Sequence, residues 1–198
     1  MKPVTHATPM LATVDLVDNA PHRLFFALWP DTELRDRIAA VVTQLQRDHP
    51  RGGRRLHPDR YHLTLQFLGD FQPLEPSLVD AACRAAGSLQ PEAFALALDQ
   101  AGSFARAGVV WLGPKLVPAA LQQLWDALGD ALAAAGVALK SAPVFAPHLT
   151  VLRNVREPLP PTPIAPLPWP VHEFVLIDSV SGSEPAYRLL GRWQLRRR

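Results

Sequence analysis

Hydrophobic positions along the chain follow two different periods. Apolar residues recur at helical spacing in three segments: after Pro30-Asp31 up to Pro50, from Leu74 to near Gly87, and from Pro118 to Gly136. Short apolar runs bounded by turn residues predict strands at about 23–29, 60–68, 94–99, 109–112, 144–152, 171–180 and 187–195. This mixture of strands and helices predicts an α+β fold.

Two connections have their own signals. The strands at 94–99 and 109–112 are predicted to join through a turn around Gly102. Residues 157–170 contain seven prolines, which exclude a helix or a central strand. We therefore predict an extended, polyproline-like connector for this stretch.

Composition restricts the classes of binding partner and the cellular compartment that we expect for the protein. The 198 residues carry 20 Lys and Arg against 18 Asp and Glu, so the net charge of +2 predicts no strong polyanion binding overall. Arg51, Arg54 and Arg55 nevertheless cluster, either as a solvated loop or as an attraction for nucleic-acid phosphates. The single cysteine, Cys83, excludes a disulfide framework and suits a reducing compartment. With no secretory or membrane-spanning pattern, we predict a cytoplasmic location.

Two similar tetrapeptides carry the candidate chemistry. His62-Leu63-Thr64-Leu65 and His148-Leu149-Thr150-Val151 each place an imidazole and a hydroxyl two residues apart. In a strand, residues i and i+2 share a face, so each His and Thr would face one side. Far fewer than one such tetrapeptide is expected by chance from this composition. Two such strands facing each other would enclose a cleft with two imidazoles and two hydroxyls.

This set of groups suits acid–base chemistry on a phosphate diester. Opening a 2′,3′-cyclic phosphate with water requires a base for the water, an acid for the departing ribose oxygen and donors for the phosphate oxygens. One neutral and one protonated histidine supply the first two near neutral pH. Threonine hydroxyls supply the third. The chemistry requires no metal, and no glycine-rich phosphate loop, HExxH or paired CxxC motif is present.

The motifs and their surroundings resemble a known family. The segments that carry the resemblance are RLFFALWPD at 23–31, PDRYHLTLQFLGDF at 58–71, VVWLGP at 109–114, FAPHLTVLR at 145–153, and EFVLIDS at 173–179 with YRLLGRW at 187–193. In order and spacing they are similar to the 2H phosphoesterase superfamily, specifically the bacterial and archaeal RNA 2′,3′-cyclic phosphodiesterase (2′-5′ RNA ligase) family.

The resemblance implies a fold and a domain organisation. The fold would have two pseudo-symmetric lobes, with antiparallel sheets lining a central cleft and helices on the outside. One such domain would span residues 22–195, after a flexible extension at 1–21 and before a basic tail at 196–198. The protein would act as a monomer on RNA ends or small nucleotides with a cyclic phosphate, without a membrane, metal or cofactor.

The resemblance also implies roles for five residues. His62 matches the proton donor and His148 the proton acceptor of metal-independent hydrolysis to 2′-phosphomonoesters. Thr64 and Thr150 match hydroxyls that contact the phosphate, and Arg153 matches a substrate-binding arginine.

Two features depart from the family pattern. Pro143 occupies a position, two before Phe145, where members often carry a basic residue. Arg153 is five residues beyond His148, so regular alternation points it away from the cleft unless the strand bends or ends near Leu152.

Alternative functions remain open at this stage. The same site would support 2′-5′ RNA ligation as the reverse reaction, or hydrolysis of another small cyclic phosphate. An RNA-binding module would not need two histidines, and a metal hydrolase would need further ligands near them. Four aromatic residues in strand patterns could stack on a base of the RNA, namely Phe67, Trp111, Tyr187 and Trp193. Such residues more often pack in the core, and we expect that position for each of them.

Overall fold

A computed structural model describes residues 20–140, 144–180 and 187–197 of the chain. The predicted extension lies outside this part except at positions 20 and 21, as do Pro143 and Arg198. The described strands are β1 (His22–Leu28), β2 (Arg54–Arg55), β3 (Leu63–Phe71), β4 (Phe94–Phe104), β5 (Val109–Gly113), β6 (Leu149–Arg153), β7 (Thr162–Val171), β8 (Glu173–Val180) and β9 (Tyr187–Gln194). The α-helices are α1 (Thr32–Asp48), α2 (Pro76–Gly87) and α3 (Ala119–Ala134), and two single 3₁₀ turns cover Pro58–Arg60 and Ala105–Ala107.

The strands form one antiparallel sheet in the order β7-β4-β5-β6-β3-β1-β8-β9, with β2 also beside β6. Its two halves meet where β3 and β6 pair at Leu63 and Leu149, and the far end of the same β6 edge pairs with β2 instead. The predicted α+β fold with antiparallel strands is confirmed. The two predicted lobes are the halves of this continuous sheet.

The helices cover one face of the sheet. Leu24, Phe26 and Leu28 of β1 belong to the main hydrophobic core, together with the buried faces of all three helices. Phe25 and Ala27 belong to a smaller cluster on the opposite face, because neighbouring strand residues project to opposite sides. The helices are therefore on the outside, as predicted, and the face that carries Phe25 remains for the cleft.

Helix α1 begins where its sequence signals place it. Asp31 caps the helix by accepting a 2.8 Å hydrogen bond from the backbone N–H of Leu34. Its buried residues Leu34, Ile38, Val42 and Leu45 repeat at helical spacing. No helix in the described part of the chain is both long and apolar enough to span a membrane.

The proline-rich stretch contains an edge strand, which corrects the predicted connector. β7 pairs with β4 at one end of the sheet. Pro166, Pro168 and Pro170 alternate with the buried Leu167 and Trp169. Alternate residues on an edge strand direct their N–H groups away from the neighbouring strand, so these prolines need not remove a donor from the ladder.

Gly102 lies within β4, so the predicted turn around it is wrong. It pairs with Trp111 of β5, and a methyl group at Gly102 would lie only 2.5 Å from Cζ2 of that indole. The chain turns later, over residues 105–108, where Gly108 adopts a left-handed φ of 59°. The glycine therefore makes room for an aromatic ring instead of reversing the chain.

Candidate active site

The two tetrapeptides meet at the seam between the halves of the sheet. Their central leucines pair as antiparallel neighbours. Continuing that register by one residue in each direction places His62 opposite Thr150 and Thr64 opposite His148. Opposed residues of an antiparallel pair project from the same face. All four, together with Arg153, line one cavity of about 540 Å³.

Both histidines are oriented by a backbone carbonyl two residues earlier. Nδ1 of His62 lies 2.9 Å from the Arg60 oxygen, and Nδ1 of His148 lies 2.7 Å from the Ala146 oxygen. A carbonyl oxygen only accepts hydrogen bonds, so Nδ1 carries a hydrogen in each ring. Nε2 is then the atom left to exchange a proton, as an acceptor in the neutral ring and a donor in the imidazolium.

Burial favours the neutral form of both rings. Burial is the main reason that the pKa of His62 falls from 6.5 to about 4. The Arg60 carbonyl opposes this fall, and the charges of His148 and Arg153 contribute to it. Burial also lowers the pKa of His148, again opposed by its carbonyl partner. An anion bound between the rings would favour their protonated forms.

A β-bulge brings Arg153 into the cavity. In the pairing of β5 with β6, Val110 is opposite Leu152 but Trp111 is opposite Thr150, so Val151 is an extra residue on β6. Val151 and Leu152 are both buried, and alternation resumes one step out of phase. The extra residue places Arg153 on the same face as Thr150, which explains why simple alternation pointed it elsewhere.

The first motif contains an equivalent bulge. Phe26 pairs with Gln66 and Ala27 with Thr64, so one residue of β3 between them has no partner. Phe67 therefore lines the cavity five residues after His62, as Arg153 does five residues after His148. The two halves thus share a bulged strand but present an aromatic ring on one side and a guanidinium on the other.

Aromatic side chains hold the imidazoles in place. Phe25 stacks on His62 with ring centroids 4.7 Å apart, and the Tyr187 hydroxyl lies 3.3 Å from Nδ1 of His62. Phe104 meets His148 edge-on at 4.8 Å. The sequence pattern favoured a core position for Tyr187, which instead lines the cavity, and it gave Phe25 no role in the cleft. Its signal was the RLFFALW run, in which adjacent phenylalanines must face opposite sides of a strand.

The other aromatic candidates lie elsewhere. Trp193 packs on Phe174 with centroids 5.3 Å apart, in the core under the helices. Trp111 packs against Phe104 and over Gly102. Among the described residues, neither tryptophan lines the cavity.

The remaining titratable groups near the motifs differ in exposure. His57 is 73% exposed and lies 3.3 Å from the Asp59 carboxylate. His22 had no predicted partner, yet it is buried and its Nδ1 lies 2.9 Å from Oδ2 of Asp178. Within the described ranges, no group of three His, Cys, Asp or Glu side chains is arranged to hold a metal ion.

The cavity wall is strongly basic. Four arginines contribute to it, namely Arg23, Arg54, Arg60 and Arg153. No Asp or Glu occurs among the described residues that line it. Such a lining attracts a phosphate-bearing ligand.

Comparison with known proteins agrees with this geometry. A family model described as the 2′-5′ RNA ligase superfamily matches residues 30–182. The RNA 2′,3′-cyclic phosphodiesterase of Escherichia coli (strain K12) is 35% identical over 177 residues, which cover 88% of this chain and 97% of that protein. The protein of the same name from Thermus thermophilus is 30% identical over 185 residues, with 88% of this chain and 90% of that protein covered.

Solved structures show the same likeness. E. coli LigT in apo form superimposes with a TM-score of 0.73 at 35% identity, covering 89% of this chain and 98% of that one. Its complex with 3′-AMP gives a TM-score of 0.72 at 34% identity over the same shares. The relationship suggested by the paired tetrapeptides is confirmed, and the chain belongs to the 2′-5′ RNA ligase superfamily.

Proposed function

We propose that the protein hydrolyses RNA 2′,3′-cyclic phosphate ends to 2′-phosphomonoesters, using two histidines and no metal or other cofactor. The observation that carries the proposal is the pairing of Leu63 with Leu149 at the seam. Continued by one residue in each direction, this register sets each histidine across from the threonine of the other motif. The similar proteins of E. coli and T. thermophilus are named RNA 2′,3′-cyclic phosphodiesterases, which supports the same substrate class here.

The proposed reaction moves one proton at each histidine. Nε2 of neutral His148 takes a proton from water as the water oxygen bonds to phosphorus. The bond between phosphorus and the 3′ oxygen breaks, and Nε2–H of protonated His62 supplies the proton to that oxygen. The products are a 2′-phosphomonoester and a 3′-hydroxyl. Exchange with solvent returns both rings to their starting states.

Three further side chains complete the proposed site. Thr64 and Thr150 donate their hydroxyl hydrogens to non-bridging phosphate oxygens, where charge develops during the reaction. Arg153 binds a phosphate of the RNA strand through its planar guanidinium. The position of all three in the cavity of the histidines supports these roles.

Product analysis tests the proposal directly. Incubation with an oligoribonucleotide ending in a 2′,3′-cyclic phosphate is expected to yield only the 2′-phosphate, at the same rate with and without EDTA. Retention of the cyclic end would refute hydrolysis, and a 3′-phosphate would show that the leaving oxygen is misassigned. Loss of activity in EDTA would reveal a metal requirement. Adding a second strand with a free 5′-hydroxyl measures 2′-5′ ligation, in which that hydroxyl replaces water as the nucleophile and the 3′ oxygen again leaves phosphorus.

A pH profile tests the assigned proton states. Turnover starting from free enzyme requires protonated His62 and neutral His148, and both have a pKa below the usual 6.5. Above that pH the protonated fraction of His62 falls as pH rises. We expect kcat/KM to peak below pH 6.5 and to decline from there to about pH 8.5. The decline in kcat should lie at higher pH, because a bound phosphate anion favours the imidazolium.

A kcat/KM that stays flat or rises across that pH range would contradict the assignment. Buffers of constant ionic strength are needed for the comparison, because salt screens the arginines around the cavity.

The cellular location, the oligomeric state and the substrate range are part of the same proposal. We place it in the cytoplasm, as a monomer acting on RNA ends or small nucleotides with a cyclic phosphate. One chain supplies both halves of the cavity, so a second copy is not needed to complete it. A molecular mass of two chains in active fractions would contradict the monomer.

A further inference from the structure

Two like-charged side chains face each other on one wall of the cavity. Arg54 of β2 pairs directly with Arg153 of β6, so both project from the same face, and both line the cavity. Like charges directly opposed on neighbouring strands destabilise a sheet. Within the described part of the chain, neither guanidinium forms an ion pair. An anion bound between them would convert this repulsion into a binding contribution.

The backbone around Arg54 is held tightly against β6. The N–H of Leu56 donates a 3.0 Å hydrogen bond to the oxygen of Val151, the extra residue of the bulge. Gly53 has a φ of 90°, and a methyl group there would lie 2.9 Å from the Arg153 oxygen. The loop therefore approaches β6 as closely as a glycine permits, which fixes where the Arg54 side chain begins.

The neighbouring arginine points the other way. Arg55 hydrogen-bonds to the side chains of Gln46 and Thr43 on α1, and its contact with the Thr43 hydroxyl is 2.9 Å. Adjacent strand residues project to opposite faces, so Arg54 faces the cavity and Arg55 faces the helix. Arg55 thus provides a control of equal charge at the next position.

The arginine pair is offset from the reacting groups. Because of the bulge at Val151, Thr150 and Arg153 are opposite Trp111 and Val109, which are two residues apart on β5 and so about 7 Å apart along the strand. A phosphate held between the two guanidinium groups is then a different phosphate from the one between the histidines. A mononucleotide cyclic phosphate has only the reacting phosphate, whereas an RNA chain continues into the next phosphodiester.

We propose that Arg54, together with Arg153, forms a second phosphate subsite that binds the phosphodiester adjoining the terminal nucleotide. The preferred substrate is then an oligoribonucleotide, and a mononucleoside 2′,3′-cyclic phosphate is a poorer one. This inference rests on the proposed function, because it assumes that the reacting phosphate lies between His62 and His148.

The test compares two substrates and two matched variants. The substrates are a trinucleotide with a 2′,3′-cyclic phosphate end and the corresponding mononucleotide. The variants are Arg54→Gln and Arg55→Gln, each of which removes one positive charge from an exposed position. Arg54→Gln is expected to raise KM for the trinucleotide about tenfold or more, the effect of losing a charge-assisted contact. KM for the mononucleotide should stay within about twofold in both variants.

A binding measurement keeps the inference separate from turnover. The affinities of a trinucleotide and a mononucleotide that both end in a 2′-phosphate are measured by titration with the same proteins, at two salt concentrations. Arg54→Gln should weaken only the trinucleotide, and added salt should narrow the difference. The subsite would be overturned if Arg54→Gln and Arg55→Gln weakened trinucleotide binding equally. It would also be overturned if Arg54→Gln weakened the binding of both ligands equally. Trinucleotide binding that depends on Arg54 without any hydrolysis would overturn the proposed function while leaving the subsite intact.

Discussion

His62→Ala and His148→Ala are each expected to lower turnover by about 10²–10⁴, the usual contribution of a general acid or base. Each histidine handles a different proton of the same displacement, so neither can complete the reaction alone. The double variant should therefore lose much less than the product of the two single losses, because groups that act as a unit are not additive when removed. Single-turnover rates on a cyclic-phosphate oligoribonucleotide measure all three variants.

His57→Ala is the matched control for the two histidines. It removes an imidazole only five residues before His62, but from an exposed position at which it contacts Asp59 instead of the motif residues. Its turnover should equal that of the unmodified protein. Near-normal turnover in His62→Ala or His148→Ala, with an unchanged melting temperature, would refute the assignment.

Thr64→Val and Thr150→Val are expected to reduce turnover by up to about 10²–10³, and by less than loss of a histidine. Valine keeps the β-branched shape, so the change removes the hydroxyl and little else. The loss should appear mainly in kcat, because the hydroxyls contact oxygens on which charge grows in the transition state. Thr162→Val is the control, since the Thr162 hydroxyl binds the Pro160 carbonyl in the exposed edge strand.

The crossed register makes a sharper version of this prediction. The continued register places His62 opposite Thr150. The effects of these two residues should therefore couple more strongly than those of His62 and Thr64, which lies two residues later in the chain. Double-mutant cycles over the two pairs measure this difference. Equal coupling in both pairs would indicate that the phosphate does not lie across the seam. A loss of stability without a loss of turnover would assign the threonines to the sheet alone.

Local patterns in the sequence were sufficient for the helices and for the two motifs. The spacing of Leu34, Ile38 and Leu45, with Asp31 as a cap, depends only on residues within a few turns of one another. The same holds for His62 and Thr64, because two residues of separation in a strand imply a shared face. The basic cluster that includes Arg54 was also visible, although its two interpretations could not be separated without knowing which way each arginine faces.

Longer-range pairing explains what the sequence left open. The prolines in 162–171 are compatible with a strand only because β7 lies at the edge of the sheet. The side of an edge strand that faces away from its neighbour forms no ladder hydrogen bonds, so a residue without an N–H is tolerated there. Gly102 had the signal of a turn, yet the space it leaves is filled by Trp111 from a different strand. Each outcome depends on a neighbour that is distant in the sequence.

The sequence by itself determined the α+β class, the helix positions, and the pairing of imidazole with hydroxyl on two strands. Only the tertiary structure decided how these strands face each other. The register of the single pair at the seam, continued by one residue, sets each histidine across from the other threonine. The extra residue Val151 turns Arg153 into the cavity. Register and bulges depend on which backbone groups find partners across strands that are far apart in the chain. Alternation along one strand therefore could not predict the complete site.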